Sequence, residues 1–127
     1  MMKPNERLRI VVDLDGVLCP IRREEEAYGD LEPVLGAVEA IERLRAAGHY
    51  IIIQTARNMA TQESNVGRVL KNIGKVTLDW LEQHGIDYDE IHFGKPNAHI
   101  YIDDRAVRFE DWTKLTNERV RDLARAK

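Results

Sequence analysis

The chain has 127 residues and a net charge of −3, with 43% hydrophobic and 32% charged residues. That length suits one domain over residues 1–127 and leaves no room for a separate cap domain beside a catalytic one. The acidic balance argues against a nonspecific nucleic-acid binder, which needs a basic face to displace counterions, and no apolar run nears the roughly 20 residues of a membrane span.

The opening stretch MMKPNERLR is polar and lacks the apolar centre of a secretory signal. The single cysteine, Cys19, cannot form an internal disulfide, so a reducing, cytoplasmic setting is expected. A first strand is predicted over residues 8–14, within and beyond which the run IVVDLDGVLCP sets two carboxylates one residue apart. Side chains at i and i+2 of a strand share a face, so Asp13 and Asp15 repel each other unless a cation lies between them. A calcium loop does not explain the pair. Asp13, Asp15 and Glu24 have the spacing of its first, third and last ligands, but Val17 and Leu18 replace a ligand and the required glycine. Cys19 is expected to be buried and inert, because Glu25 stands where a cysteine-nucleophile phosphate loop needs arginine.

A helix follows, with Pro33 in its first turn, Val34, Val38, Ile41 and Leu44 at helical spacing, and Gly48 as its left-handed stop. Residues 50–54 read as a second strand, ending at Thr55. Gly67 and Gly74 interrupt the segment from 59 to 75, and a second helix carrying Leu78, Trp80 and Leu81 stops at Gly85. A third strand spans residues 90–93 with Lys95 just beyond it, and a fourth, residues 99–102, closes on Asp103 and Asp104. A final helix starts near Glu110 or Asp111, with Leu115, Val120 and Leu123 as core contacts.

Strands alternating with helices predict an α/β fold: a central parallel sheet with right-handed crossovers and helices on both faces. Ligands of such sheets bind at the carboxyl ends of the strands. Asp13, Asp15, Thr55, Lys95, Asp103 and Asp104 all fall at that edge. Four acids, a hydroxyl and an ammonium gathered there describe a site for a hard cation together with an anionic group. With magnesium as the cation, Asp13 can attack phosphorus to give an aspartyl-phosphate. Lys95 and Thr55 hold the transferring oxygens, and Asp15 protonates the leaving alkoxide and then deprotonates the hydrolytic water. A P-loop and a GxGxxG turn are both absent.

DLDGV, QTARN, GKP and IYIDDR resemble, in this order, the four motifs of the haloacid dehalogenase (HAD) superfamily of phosphatases and phosphotransferases. The resemblance spans residues 8 to 111. RNM, T-x-E-x-NVG, DWLEQHGIDYDEIHFGKP and YIDDRAVR are similar to stretches of a narrower group, the capsular polysaccharide biosynthesis phosphatases. The resemblance implies a three-layer, Rossmann-like fold without a cap. It makes Asp13 the nucleophile, Asp15 the general acid/base, and Thr55 and Lys95 the phosphate binders. Asp104 becomes the main acidic magnesium ligand, joined by Asp13 and the backbone carbonyl of Asp15, with Asp103 holding a metal-bound water.

Substrate contacts are expected at Gly16, Thr55, Ala56, Arg57, Asn58, Lys95 and Arg105, with Arg57 and Asn58 foremost because they directly follow Thr55, and the resemblance implies a sugar phosphate or related surface-polysaccharide precursor as substrate. Arg22, Arg23, Asn65 and Arg108 lie near the expected mouth. Two positions depart from the pattern: Val17 replaces a common threonine, and Phe109 replaces a proline. Capless relatives act on large substrates or cover their sites with a neighbouring subunit, so a homo-oligomer is a further expectation, while a nucleic-acid or membrane partner is not.

Two other readings compete. A signalling receiver domain has similar length and an acidic cluster, but carries its acidic pair after the first strand and its phosphoacceptor after the third. Here the adjacent pair comes last and the third strand ends in Gly94. A HAD-like domain that binds a phosphosugar without hydrolysing it is the second.

Overall fold

Three of the four expected strands form. In the computed structural model, which describes residue 3 and residues 5–127, β1 (Arg9–Asp13), β2 (Tyr50–Thr55) and β3 (Glu90–Phe93) make one parallel sheet in the order β1-β2-β3. Met1, Met2 and Pro4 of the polar opening stretch lie outside the described residues. The register pairs Asp13 with Gln54 and Thr55 with Phe93, so the carboxyl ends of all three strands share one edge.

Between β1 and β2 runs α1 (Ala37–Ala46). Between β2 and β3 a single helical run comprises α2 (Val66–Val69), a π-helical turn (Leu70–Gly74) and α3 (Lys75–Gln83). The chain closes with α4 (Asn117–Arg125). Ile51 and Ile53 of β2 share one apolar cluster with Val12 and Leu14, with Ala37, Ala40, Ile41 and Leu44 of α1, and with Trp80 and Leu81 of α3. Each valine, leucine or isoleucine side chain in this set, once fully buried, contributes about 1.5–3 kcal/mol. The buried Trp80 indole N–H donates to the Leu31 carbonyl at 2.7 Å, so that packing leaves no orphan donor. Met59, Val69 and Ile73 form a second, smaller cluster against Tyr28, Ala56 and Phe93.

Several boundaries differ from the sequence expectation. Helix α1 begins at Ala37 rather than near Pro33, because Gly36 adopts φ +82° and the Val34 N–H donates to the Leu18 carbonyl at 2.9 Å, which holds the preceding segment extended. Gly48 and Gly85 do stop their helices at positive φ. Gly67 and Gly74 do not interrupt the run but lie inside it. The final helix is two pieces. A 3₁₀ turn (Trp112–Lys114) is capped by the Asp111 carboxylate, and α4 starts separately at Thr116, whose Oγ1 accepts from the Arg119 N–H at 3.1 Å.

The fourth strand is the main correction. Residues 94–111 are irregular, and Ile100 and Ile102 are 73% and 97% exposed. Gly94 turns the chain at φ +97°, and the Tyr101 hydroxyl donates to the Pro96 carbonyl, closing the segment on itself. A short run that follows a proline has few ladder hydrogen bonds to set against these local ones. As a result β1 stays an open edge of the sheet, with Val11 exposed. No helix among the described residues is long and apolar enough to cross a membrane.

Candidate active site

The site begins where β1 ends. Leu14 continues the ladder, its N–H donating to the Gln54 carbonyl at 3.1 Å, and its own carbonyl then accepts from the N–H groups of Val17, Leu18 and Cys19. Gly16 at φ +89° makes the tight turn possible, and its N–H donates to the Cys19 carbonyl at 2.6 Å. Leu14, Leu18 and Cys19 anchor this loop in the core, while Asp13 and Asp15 remain partly exposed. The loop is also clasped from the far end of the chain, where the Trp112 indole N–H donates to the Val17 carbonyl at 2.8 Å. Burial pushes the Cys19 thiol up to about 11, so it stays protonated and inert at neutral pH, as the sequence suggested.

Each aspartate meets its own cation. Asp13 accepts from the Leu14 N–H through Oδ1 at 2.9 Å and faces Lys95 Nζ through Oδ2 at 3.3 Å. Lys95 is held in place by its backbone N–H, which donates to the Thr55 carbonyl at 3.0 Å, and its ammonium lies 4.3 Å from the centre of the Tyr101 ring. Asp15 is gripped by Arg57, with Nη2 at 2.6 Å from Oδ1 and Nε at 3.2 Å from Oδ2. Thr55 Oγ1 donates to the same Asp15 Oδ2 at 3.4 Å and accepts from the Arg57 N–H at 2.9 Å. The repulsion anticipated between the two acids is therefore relieved by two side-chain cations.

The structure thus brings together Asp13, Asp15, Gly16, Thr55, Ala56, Arg57 and Lys95, and it changes the expected role of two of them. Thr55 is fully buried, and its hydroxyl serves Asp15 and the Arg57 backbone. Arg57 is an interior group and not a substrate ligand at the mouth, since its side chain is 1% exposed. Asn58 follows at φ +67° and accepts from the Asn72 side chain at 2.9 Å. Arg22 donates to the backbone carbonyls of Arg23, Glu24 and Glu26 and lies over the Tyr28 ring, rather than pairing with the nearby glutamate carboxylates.

Asp103, Asp104 and Arg105 are not brought to this edge by a fourth strand. They sit in the exposed segment 96–108, where the Arg105 N–H donates to Asp103 Oδ1 at 2.7 Å. Among the described residues no group of three or more His, Cys, Asp or Glu side chains converges as a metal site. In this arrangement Asp13 faces Lys95, Asp15 faces Arg57, and no fourth strand carries Asp103 and Asp104 to the same edge, so the expected magnesium donors are not gathered as one set.

Sequence reasoning did not single out Tyr28 or Thr77. The Tyr28 ring lies 3.9 Å beneath the Arg57 guanidinium, and Thr77 Oγ1 accepts from Arg57 Nη1 at 3.1 Å. A lone aromatic in the acidic stretch EEEAYGD was the available signal for the first. Thr77 had none, being one of several polar residues on a helix.

The chain superimposes on the crystal structure of a structural-genomics target from Vibrio cholerae with a TM-score of 0.82, at 35% identity over 94% of this chain and 98% of that one. This chain belongs to the same family as the Vibrio cholerae protein. No family model matches the sequence, and no curated protein matches it.

Proposed function

We propose that the protein is a phosphomonoester hydrolase of the haloacid dehalogenase type, working through an aspartyl-phosphate on Asp13. The observation that carries this reading is the pairing of Asp13 with Lys95 at 3.3 Å on the carboxyl edge of a parallel sheet, with Asp15 on the same loop. A partly exposed carboxylate is a competent nucleophile there, and the ammonium beside it supplies the positive charge that an approaching phosphate dianion needs.

In the first half of the reaction an Asp13 oxygen bonds to phosphorus as the ester P–O bond breaks and the alkoxide leaves. In the second half, water attacks phosphorus and the Asp13 carboxylate is released. Asp15 exchanges protons with the leaving oxygen and with the water. On the resemblance, the substrate is a sugar phosphate or a related precursor of surface polysaccharide, and the protein acts in the cytoplasm.

The same resemblance includes magnesium and a fourth strand, and the two go together. If residues 99–102 added to the open edge of β1, Asp103 and Asp104 would reach the edge that carries Asp13. A second reading, a phosphosugar-binding domain without hydrolysis, draws on the lack of any converging group of three or more acidic, histidine or cysteine side chains among the described residues.

The test is phosphate release from a panel of sugar, polyol and nucleoside phosphates, with magnesium or with chelator. Release in magnesium that disappears in Asp13→Asn is the expected result. Release that survives Asp13→Asn refutes the nucleophile, and binding without release by the magnesium-loaded protein favours the second reading.

A further inference from the structure

Arg57 has a task that substrate contact does not describe. Its side chain is 1% exposed, and each of its donor nitrogens is engaged. Nε and Nη2 donate to the Asp15 carboxylate at 3.2 and 2.6 Å, Nη1 donates to Thr77 Oγ1 at 3.1 Å, and the guanidinium lies 3.9 Å over the Tyr28 ring. Thr77 is itself fixed, donating to the Ile73 carbonyl at 2.7 Å next to the π-helical turn. A guanidinium that holds a carboxylate through two N–H groups sets both its position and its plane. The donors on Asp15, Arg57 Nε and Nη2 and the Thr55 hydroxyl, all belong to buried residues, while the Asp15 side chain itself keeps 23% exposure.

We infer that Arg57 is a positioning residue for Asp15, itself held by Tyr28 and Thr77, and that it fixes the place and plane of the Asp15 carboxyl group where the attacking water must meet it. The inference rests on the phosphatase reading and sharpens it, because the half-reaction that needs a proton acceptor is the second. There the water oxygen bonds to phosphorus, the bond from phosphorus to the Asp13 oxygen breaks with its electron pair returning to Asp13, and the water proton passes to Asp15. An aryl ester needs no proton in the first half, since its phenolate leaves with its own electron pair. Loss of Arg57 therefore slows breakdown of the aspartyl-phosphate more than its formation.

The experiment is rapid mixing of the magnesium-loaded protein with 4-nitrophenyl phosphate, comparing wild type with Arg57→Gln, Arg57→Lys and Thr77→Val. In Arg57→Gln a nitrophenolate burst near one equivalent persists while steady-state turnover falls about 10- to 100-fold, and acid-quenched protein carries phosphate. Arg57→Lys recovers part of the turnover. Thr77→Val shows the same pattern more weakly, and reads the effect should Arg57→Gln fail to fold. Burst and turnover falling by one common factor, or turnover unchanged, overturns the inference. A wild type with neither burst nor turnover refutes the phosphatase reading instead, and takes this inference with it.

Discussion

Asp13 and Asp15 are separated by a single leucine, yet their surroundings differ in a way that has measurable consequences. Asp13 and Lys95 are 34% and 16% exposed and touch at 3.3 Å, whereas Arg57 is enclosed and satisfied on every side. Partly hydrated pairs contribute at most about 1 kcal/mol to stability. Lys95→Met is therefore expected to leave the thermal midpoint nearly unchanged and, on the proposed phosphatase reading, to lower kcat/KM by about 100-fold or more, since charge beside a transferring phosphoryl group acts chiefly in the transition state. A large drop in the midpoint together with normal turnover would reverse that assignment. Asp13, Asp15 and Lys95 were legible in the sequence because a strand end is a local pattern. Tyr28 and Thr77 were not, because their contact with Arg57 is made only when distant segments pack.

At the level of secondary-structure elements, the β-branched runs placed β1, β2 and β3 to within a residue or so, since strand pairing follows the apolar pattern. Helix α1 started late because of backbone geometry at Gly36, which composition does not reveal. The amino ends of the strands are tied by Glu90. Its carboxylate contacts His92 Nε2 at 2.9 Å and accepts from the Tyr50 hydroxyl at 2.8 Å and from Arg9 at 3.3 Å, so one acid links all three strands. His92 first, then Tyr50, holds its carboxyl down at about 2 instead of 4.5. A depressed carboxyl stabilises the fold above the unfolded value, and that stabilisation is lost as pH falls through the interval from 4.5 to about 2. Glu90→Gln is expected to flatten the fall of the thermal midpoint across that acid interval. An acid limb identical to that of wild type would show that the link contributes nothing.

Taken as a whole molecule, the protein has a well-packed parallel sheet with one segment lying apart from it. Residues 96–108 carry the IYIDDR motif in the open, and β1 has a strand partner on one side only. The motif reads as a strand because it opens with a short apolar, β-branched run. What it could not convey is the competition between sheet addition and the local turn made by Gly94 and the Tyr101 to Pro96 contact. Exposed, irregular segments are the preferred sites of proteolytic nicking. Trypsin is therefore expected to cut first after Arg105 or Arg108, and magnesium with inorganic phosphate slows that cut if the segment joins β1 as proposed. First cleavage within α1 or α3 would contradict the exposed placement. The clasp between Trp112 and the Val17 carbonyl joins residues 95 positions apart in the chain. During synthesis the three strands are complete before Trp112 emerges, so the turn carrying Asp15 is fastened among the last features of the fold, and a nascent chain stalled ahead of that tryptophan holds its sheet with this turn unclasped.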